Sequence, residues 1–317
     1  MGNPMNRKDF KALVNELFDL PYDQKKQLIN QLSNLIESEA ESLIDSSDDN
    51  ISCHHCGGLS IKKWGKSNGL QRYKCKEECC GKTFNALTGT PLANLRQKDK
   101  WLDYISCMTD SLTLRKTAAR LGINLTTAFR WRHRFLKMPT KNQASQVSGI
   151  VEADETFFLE SFKGKRTING RKARKRGGQG HKNRKEDKVP VLIVRDRHGA
   201  VCDFVFDKLT KDGIHSSLKP IVDKDSVLCT DGASWYKTFA QQEGVAHHRL
   251  ITLDNQRVIG KEFHIQNVNA YIYRLKNWMK IFYGVGTEYL PNYLGWRRLF
   301  ETGDASQVQW LRLALGQ

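Results

Sequence analysis

The sequence predicts an α/β fold in which a mixed sheet follows a cysteine-rich unit and a basic helical pair. Three observations predict it. Cysteine pairs cluster early in the chain, two helical patterns flank Leu121-Gly122-Ile123-Asn124, and short apolar strands alternate with helices from Ile150 onward. The length, 317 residues, is enough for several compact units. A formal charge of +17, from 51 Lys and Arg against 34 Asp and Glu, points to a nucleic-acid partner before a small neutral ligand. No apolar run approaches a membrane span and no charged-then-apolar leader opens the chain, so a cytoplasmic address is expected. In that compartment the eight cysteines argue for metal and against a disulfide framework.

Residues 1–50 read as an N-terminal helical region, from "FKALVNELFDL" to "YDQKKQLINQLSNLIESEA", closed by the polar linker "DSSDDN". Residues 51–95 carry the thiols. Cys53-His-His-Cys56 is a knuckle, and eighteen residues separate it from the group Cys75, Cys79 and Cys80. Two thiolate pairs joined by such a loop suit tetrahedral Zn²⁺, because each tight knuckle brings two sulfurs to one ion. Cys80 is favoured over Cys79 as the fourth ligand, since Gly81 can supply the positive φ that turns the backbone toward the metal. The expected structural zinc set is Cys53, Cys56, Cys75 and Cys80. His54 and His55 are less well spaced.

Residues 96–140 read as a DNA-binding helix-turn-helix. Ala118 and Ala119 allow close crossing, Gly122 makes the turn, and Thr126-Thr127 open an Arg-rich helix. Thr126, Thr127, Arg130 and Arg134 are expected at the major groove or its phosphates, with Trp131 and Phe135 in the core. "MPTKNQASQVSG" reads as a second linker.

Residues 148–302 hold the sheet: "GIVEADETFF", "VPVLIVRD" and "AVCDFVF" as strands, a helix near "DGIHSSLKPIV", the strand "SVLCTD", a helix in "GASWYKTFAQQ", the strand "HRLITL" and a last helix from His264 to Met279. Asp154 interrupts an apolar strand, an unusual place for an unpaired carboxylate, and Asp231 ends another beside Gly232. Asn269 and Lys276, seven apart, share the edge of the apolar stripe of the last helix. Two strand-borne aspartates and a polar residue on a helix flank make a cage for Mg²⁺ or Mn²⁺, the arrangement that two-metal phosphodiester chemistry uses. Glu152 and Glu155 are expected on the opposite sheet face and so are second choices as ligands, with Asp203, Asp207, Asp223 and Asp225 in turns or at the surface and His264 at the helix start. Three hairpin-joined strands, turning at about Asp196–Gly199, and then helix, strand, helix, strand, helix is the series of a ribonuclease-H-like core. The loop "KGKRTINGRKARKRGGQGHKNRKEDK", with Arg174, Lys175 and Arg176, is too charged to pack and is expected to meet the DNA backbone. Residues 303–317 are expected as a C-terminal tail.

The segments "RYKC…CGKTF", "TAFRWRHRFL", "VEADETFF", "RKRGG", "TDGASWY", "VNAYIYRLKNWM" and "GVGTEYLPNYLGWRR" together resemble a bacterial insertion-sequence transposase of the zinc-ribbon, helix-turn-helix, ribonuclease-H-like kind, from about Cys53 to Phe300. The resemblance implies a nuclease set of Asp154, Asp231 and Asn269 with Lys276 seven residues on, in the subgroup whose third member is Asn. It further implies binding to terminal inverted repeats, metal-dependent cleavage at each DNA end, attack of the freed 3′-hydroxyl on target DNA, and a dimer or larger assembly. An amide brings no charge, so the second ion is expected to be held more weakly than by Glu. The rivals are an inactive DNA-binding regulator of the same descent and a structure-specific DNA nuclease.

Overall fold

Local sequence signals account for the helix starts and hairpin turns. In the computed structural model, which describes residues 5–45, 51–168, 187–250, 258–301 and 306–316 (backbone alone at 33–39), the chain forms two compact units, Met1–Ser106 and Cys107–Gly316. Among the described residues no helix is long and apolar enough to cross a membrane.

In the first unit, Asn6 caps α1 (Arg7–Phe18) by accepting the backbone N–H groups of Lys8 and Asp9. After α2 (Tyr22–Asp45) come three antiparallel strands, β1 (Ile61–Ser67), β2 (Leu70–Cys75) and β3 (Thr83–Phe84), in that spatial order. Asn68 and Gly69 join the first two, with φ of 50° and 78°, the left-handed pair that a two-residue hairpin favours. The helix α3 (Trp101–Thr109) crosses the boundary between the units.

In the second unit, Thr113 caps α4 (Leu114–Leu121), Gly122 turns the chain at φ 61°, and Asn124 caps α5 (Leu125–Phe135). Trp131 and Phe135 are buried, as expected, but so is Arg132. The stretch expected as a linker instead begins with α6 (Lys137–Lys141), and Gln143 then exchanges two hydrogen bonds with the Asp203 backbone. The reason is Arg298, which pairs with the Asp203 carboxylate and donates to the carbonyls of Pro139 and Thr140. Asp203 is therefore a buried partner of an arginine and not a turn or surface residue.

The larger sheet comprises β4 (Ile150–Leu159), β5 (Lys188–Asp196), β6 (Val201–Val205), β7 (Val227–Thr230) and β8 (Ala246–Arg249), in the order β6-β5-β4-β7-β8. β5 is antiparallel to both neighbours, while β7 runs parallel to β4 and β8. Thus the fold is mixed α/β. One sheet face, with Val151, Ala153, Leu192 and Val194, packs with residues of α7 (Lys211–Leu218) and α8 (Ser234–Glu243). The other, with Val191 and Ile193, packs with α9 (Gln266–Lys280) and α10 (Leu290–Glu301). β8 starts earlier than "HRLITL" suggests, because Ala246 to Arg249 pair with Val227 to Thr230; residues 251–257 lie outside the described set. Within the expected tail, α11 (Gln307–Leu315) buries Trp310 and Leu311.

Glu152 corrects a second expectation. A strand alternates every residue, so Glu152 shares the face of Asp154, and only Glu155 lies opposite. The carboxylate of Glu152, fully buried, accepts from Asn267 Nδ2 at 3.0 Å and from the Val268 backbone N–H at 2.9 Å, with Arg197 at 3.0 Å. It ties the first turn of α9 to β4. His264 takes the helix-start role, its Nδ1 accepting the Gln266 N–H at 3.2 Å.

Candidate functional site

Two clusters of ligand-type side chains occur among the described residues. In the first unit, Cys53 and Cys56 sit in one turn and Cys75 and Cys80 bracket another, each turn closed by a left-handed glycine, Gly57 (φ 75°) and Gly81 (φ 58°). Hydrogen bonds from Gly57 N to Cys53 O (2.7 Å) and from Gly81 N to Glu77 O (3.2 Å) hold these turns. The four sulfurs lie within 4.8 Å of one another, with 3.7 Å between Cys53 and Cys80 and 3.7 Å between Cys56 and Cys75. A tetrahedron with zinc–sulfur bonds of about 2.3 Å has edges of about 3.8 Å, so the thiols fit that ion. Cys79 is exposed and stands outside the group.

The second cluster lies where β4 outruns its neighbour. The pairing of β4 with β7 ends at Glu152 opposite Cys229, so the next residues of β4 flank an open gap. Asp231 follows the last residue of β7, turned by Gly232 at φ 96°. Into that gap Asp154, Glu155 and Asp231 bring carboxylate oxygens within 4.8 Å of one another. Glu155 is held firmly, its Oε1 accepting from Trp235 Nε1 and Tyr236 Oη, both at 2.7 Å. Asp154 Oδ1 accepts the Glu155 N–H at 2.8 Å. Burial, reinforced by Asp231 and Glu155, pushes the Asp154 carboxyl up to about 7, and Lys276 pulls it partly back. Burial also raises Glu155, opposed by the Tyr236 and Trp235 hydrogen bonds. Three close carboxylates without a matching cation repel one another, and an all-oxygen set of this kind suits Mg²⁺ or Mn²⁺.

Asp154, Asp231 and Lys276 thus fall in one locality. Asn269 is exposed on α9, on the same side as Lys276, and no hydrogen bond joins its amide to the carboxylates. In α5, Thr126 and Arg130 are exposed, while Thr127 and Arg134 are half-buried. Arg174, Lys175 and Arg176 lie outside the described residues. Sequence reasoning ranked Glu155 only as a second choice, yet it belongs to the cluster. The available signal was its place directly beside Asp154 in a strand whose flanks, Ile150-Val151 and Phe157-Phe158-Leu159, are apolar.

Residues 146–297 match the ISXO2-like transposase domain. A protein of the transposable element ISH50 from Halobacterium salinarum, described as uncharacterized, is 25% identical over 250 residues, covering 77% of this chain and 83% of its own. Among solved structures, a chain of the simian T-cell lymphotropic virus intasome complexed with PP2A regulatory subunit B56 gamma is 11% identical, with a TM-score of 0.30; the alignment covers 61% of this chain and 66% of that one. A pre-cleavage Mos1 transpososome chain is 11% identical with a TM-score of 0.24, covering 68% of this chain and 77% of that one. The domain match spans the whole sheet that carries Asp154 and Asp231, so the part of the chain that builds the carboxylate cluster, residues 146–297, is the part similar to the ISXO2-like transposase domain.

Proposed function

We propose that the protein is a DNA transposase that binds the terminal inverted repeats of its element, cleaves the DNA ends and joins them to target DNA. The observation that carries this reading is the convergence of Asp154, Glu155 and Asp231 at the open ends of β4 and β7, with the charge of Lys276 beside them. The strand order β6-β5-β4-β7-β8 with only β5 reversed supports a ribonuclease-H-like core for residues 148–302. Divalent ions held there would supply activation of the attacking oxygen and stabilisation of the leaving one. Asp154 and Asp231 are the proposed anionic ligands, with Asn269 as a neutral donor from α9. Lys276 holds the scissile strand by its phosphate, and Glu152 positions α9 so that both helix residues reach the sheet mouth.

The thiol group is the proposed structural zinc ribbon, residues 51–95, and α4 with α5 the proposed helix-turn-helix, with Thr126 and Arg130 the best exposed toward DNA. A dimer at least is required, since two DNA ends are joined in one event. The test is cleavage and strand transfer of a labelled repeat end in Mg²⁺ or Mn²⁺. Asp154→Ala and Asp231→Ala should abolish product while repeat binding persists, and Asn269→Ala should lower it by roughly a hundredfold or more. Repeat binding without product in any metal would instead assign an inactive regulator, and cutting of branched DNA without repeats would assign a structure-specific nuclease.

A further inference from the structure

A cavity of about 860 Å³ lies within the second unit, between the first turn of α4, the exposed side of α5 and the segment that follows α9. Two kinds of side chain meet in it. Aromatic rings make one wall: Phe129 and Tyr289 lie edge to face at 5.3 Å, His133 stacks on Tyr289 at 3.9 Å, and Tyr283 stands 87% exposed at the rim. Cations make the other. Arg115 and Lys116 extend from the first turn of α4, both exposed, and neither meets a carboxylate among the described residues. Among the described residues no Asp or Glu lines the cavity.

Arg132 gives the site its charge at depth. It is fully buried in the cavity wall, and its Nη2 donates to Leu112 O at 2.8 Å and Thr117 Oγ1 at 3.4 Å. Among the described residues its Nε and Nη1 have no hydrogen-bond partner, and the face of Trp296 lies 4.7 Å away. A buried cation without a counter-charge is costly, and its field is poorly screened in apolar surroundings. The first turn of α4, with the positive end of its helix dipole, faces the same space. The cavity therefore favours an anion that also carries a flat, apolar face. Phosphate alone would leave the aromatic wall unused. A base pair in duplex has no free face to offer it.

We propose that this cavity takes one nucleotide of an unpaired DNA strand, its base against Phe129, Tyr283 and Tyr289 and its phosphate toward Arg115, Lys116 and the buried Arg132. The assignment rests on the DNA-binding reading above and adds a requirement that reading lacks, namely a strand that has left the duplex. It is independent of the carboxylate cluster, so it can be tested by binding alone.

The experiment is fluorescence anisotropy of the full chain at fixed salt, with a blunt duplex and the same duplex carrying a short unpaired extension. The unpaired extension should tighten binding roughly tenfold, within the range of one base–aromatic stack. Tyr283→Asn should bring the two affinities together by weakening the extended DNA alone; Asn tolerates the left-handed backbone at this position (φ 52°), so the chain is not strained. Arg115→Gln should do the same more weakly. Equal affinities in the unmodified protein, or a preference that survives both substitutions, would overturn the cavity assignment and leave the transposase reading intact. Failure to bind either DNA would overturn both. Displacement by thymidine 5′-monophosphate without any preference for the unpaired extension would overturn the strand assignment in favour of a free nucleotide.

Discussion

The thiol cluster and the carboxylate cluster are both places where charged ligand atoms crowd together, yet the chain builds them in opposite ways. The thiols come from two short turns shaped by glycines and backbone hydrogen bonds, and the hairpin between the turns brings the sulfurs of one to 3.7 Å from those of the other. The carboxylates come from two strands far apart in sequence, and their meeting depends on where the pairing of β4 with β7 stops. The first is a local device that a bound ion would complete. The second is a tertiary device whose mutual repulsion the fold has to carry, and Asp154, pushed up to about 7 mainly by burial, is where that load is felt.

The largest break in the comparison should come from Cys75→Ser. Zinc-coupled folding in small units is worth on the order of 10 kcal/mol, so this change should release the metal and leave residues 51–95 open to proteolysis, while the second unit stays resistant. Zinc content and limited digestion measure both. Glu155→Gln should act in the opposite sense on stability. It removes one of three crowded charges, so the metal-free protein should melt no lower than the unmodified one, while calorimetry should find Mn²⁺ bound about tenfold more weakly.

A smaller effect concerns pH. The folded-state pKa of Asp154 is raised, so the folded chain holds a proton that the unfolded chain releases above its ordinary 3.8. That contribution to stability is complete at low pH and is lost as pH rises through about 7. A divalent ion competes with that proton, so the melting shift given by Mn²⁺ should be larger at pH 8 than at pH 6. A shift of equal size at both would remove Asp154 from the ion's ligands. The smallest effect is Cys79→Ser, which should leave zinc content unchanged, because that thiol lies outside the group of four.

How far the sequence could be read follows the same division. The cysteine knuckles and the Gly122 turn are local, and spacing with glycine placement was enough to find them. β5 and β7 were readable because each carries an uninterrupted apolar run, and β4 because apolar residues flank its carboxylates. Glu155 was not, since strand alternation sends it to the opposite face, and only the early end of β7 lets it reach Asp231. Arg132 and Arg298 were hidden for a related reason. A composition rich in lysine and arginine gives no sign of which cations are enclosed, and both meet partners far away in the chain, Arg132 the ring of Trp296 and Arg298 the carboxylate of Asp203 with the carbonyls of Pro139 and Thr140. The supposed linker after α5 became packed structure because one of those arginines, Arg298, gathers its carbonyls.

The way α9 is fastened has a mechanical consequence. Glu152 pins its first turn, and Lys163, four residues past the end of the same strand, donates to the carbonyls of Phe282, Tyr283 and Gly284 just beyond its last turn. One continuous stretch of backbone therefore grips the helix at both ends, with Asp154 between the two grips. Amide hydrogens along α9 should exchange with solvent as a single slow block, and the spacing from Asp154 to Lys276 should stay fixed while the rest of the molecule breathes.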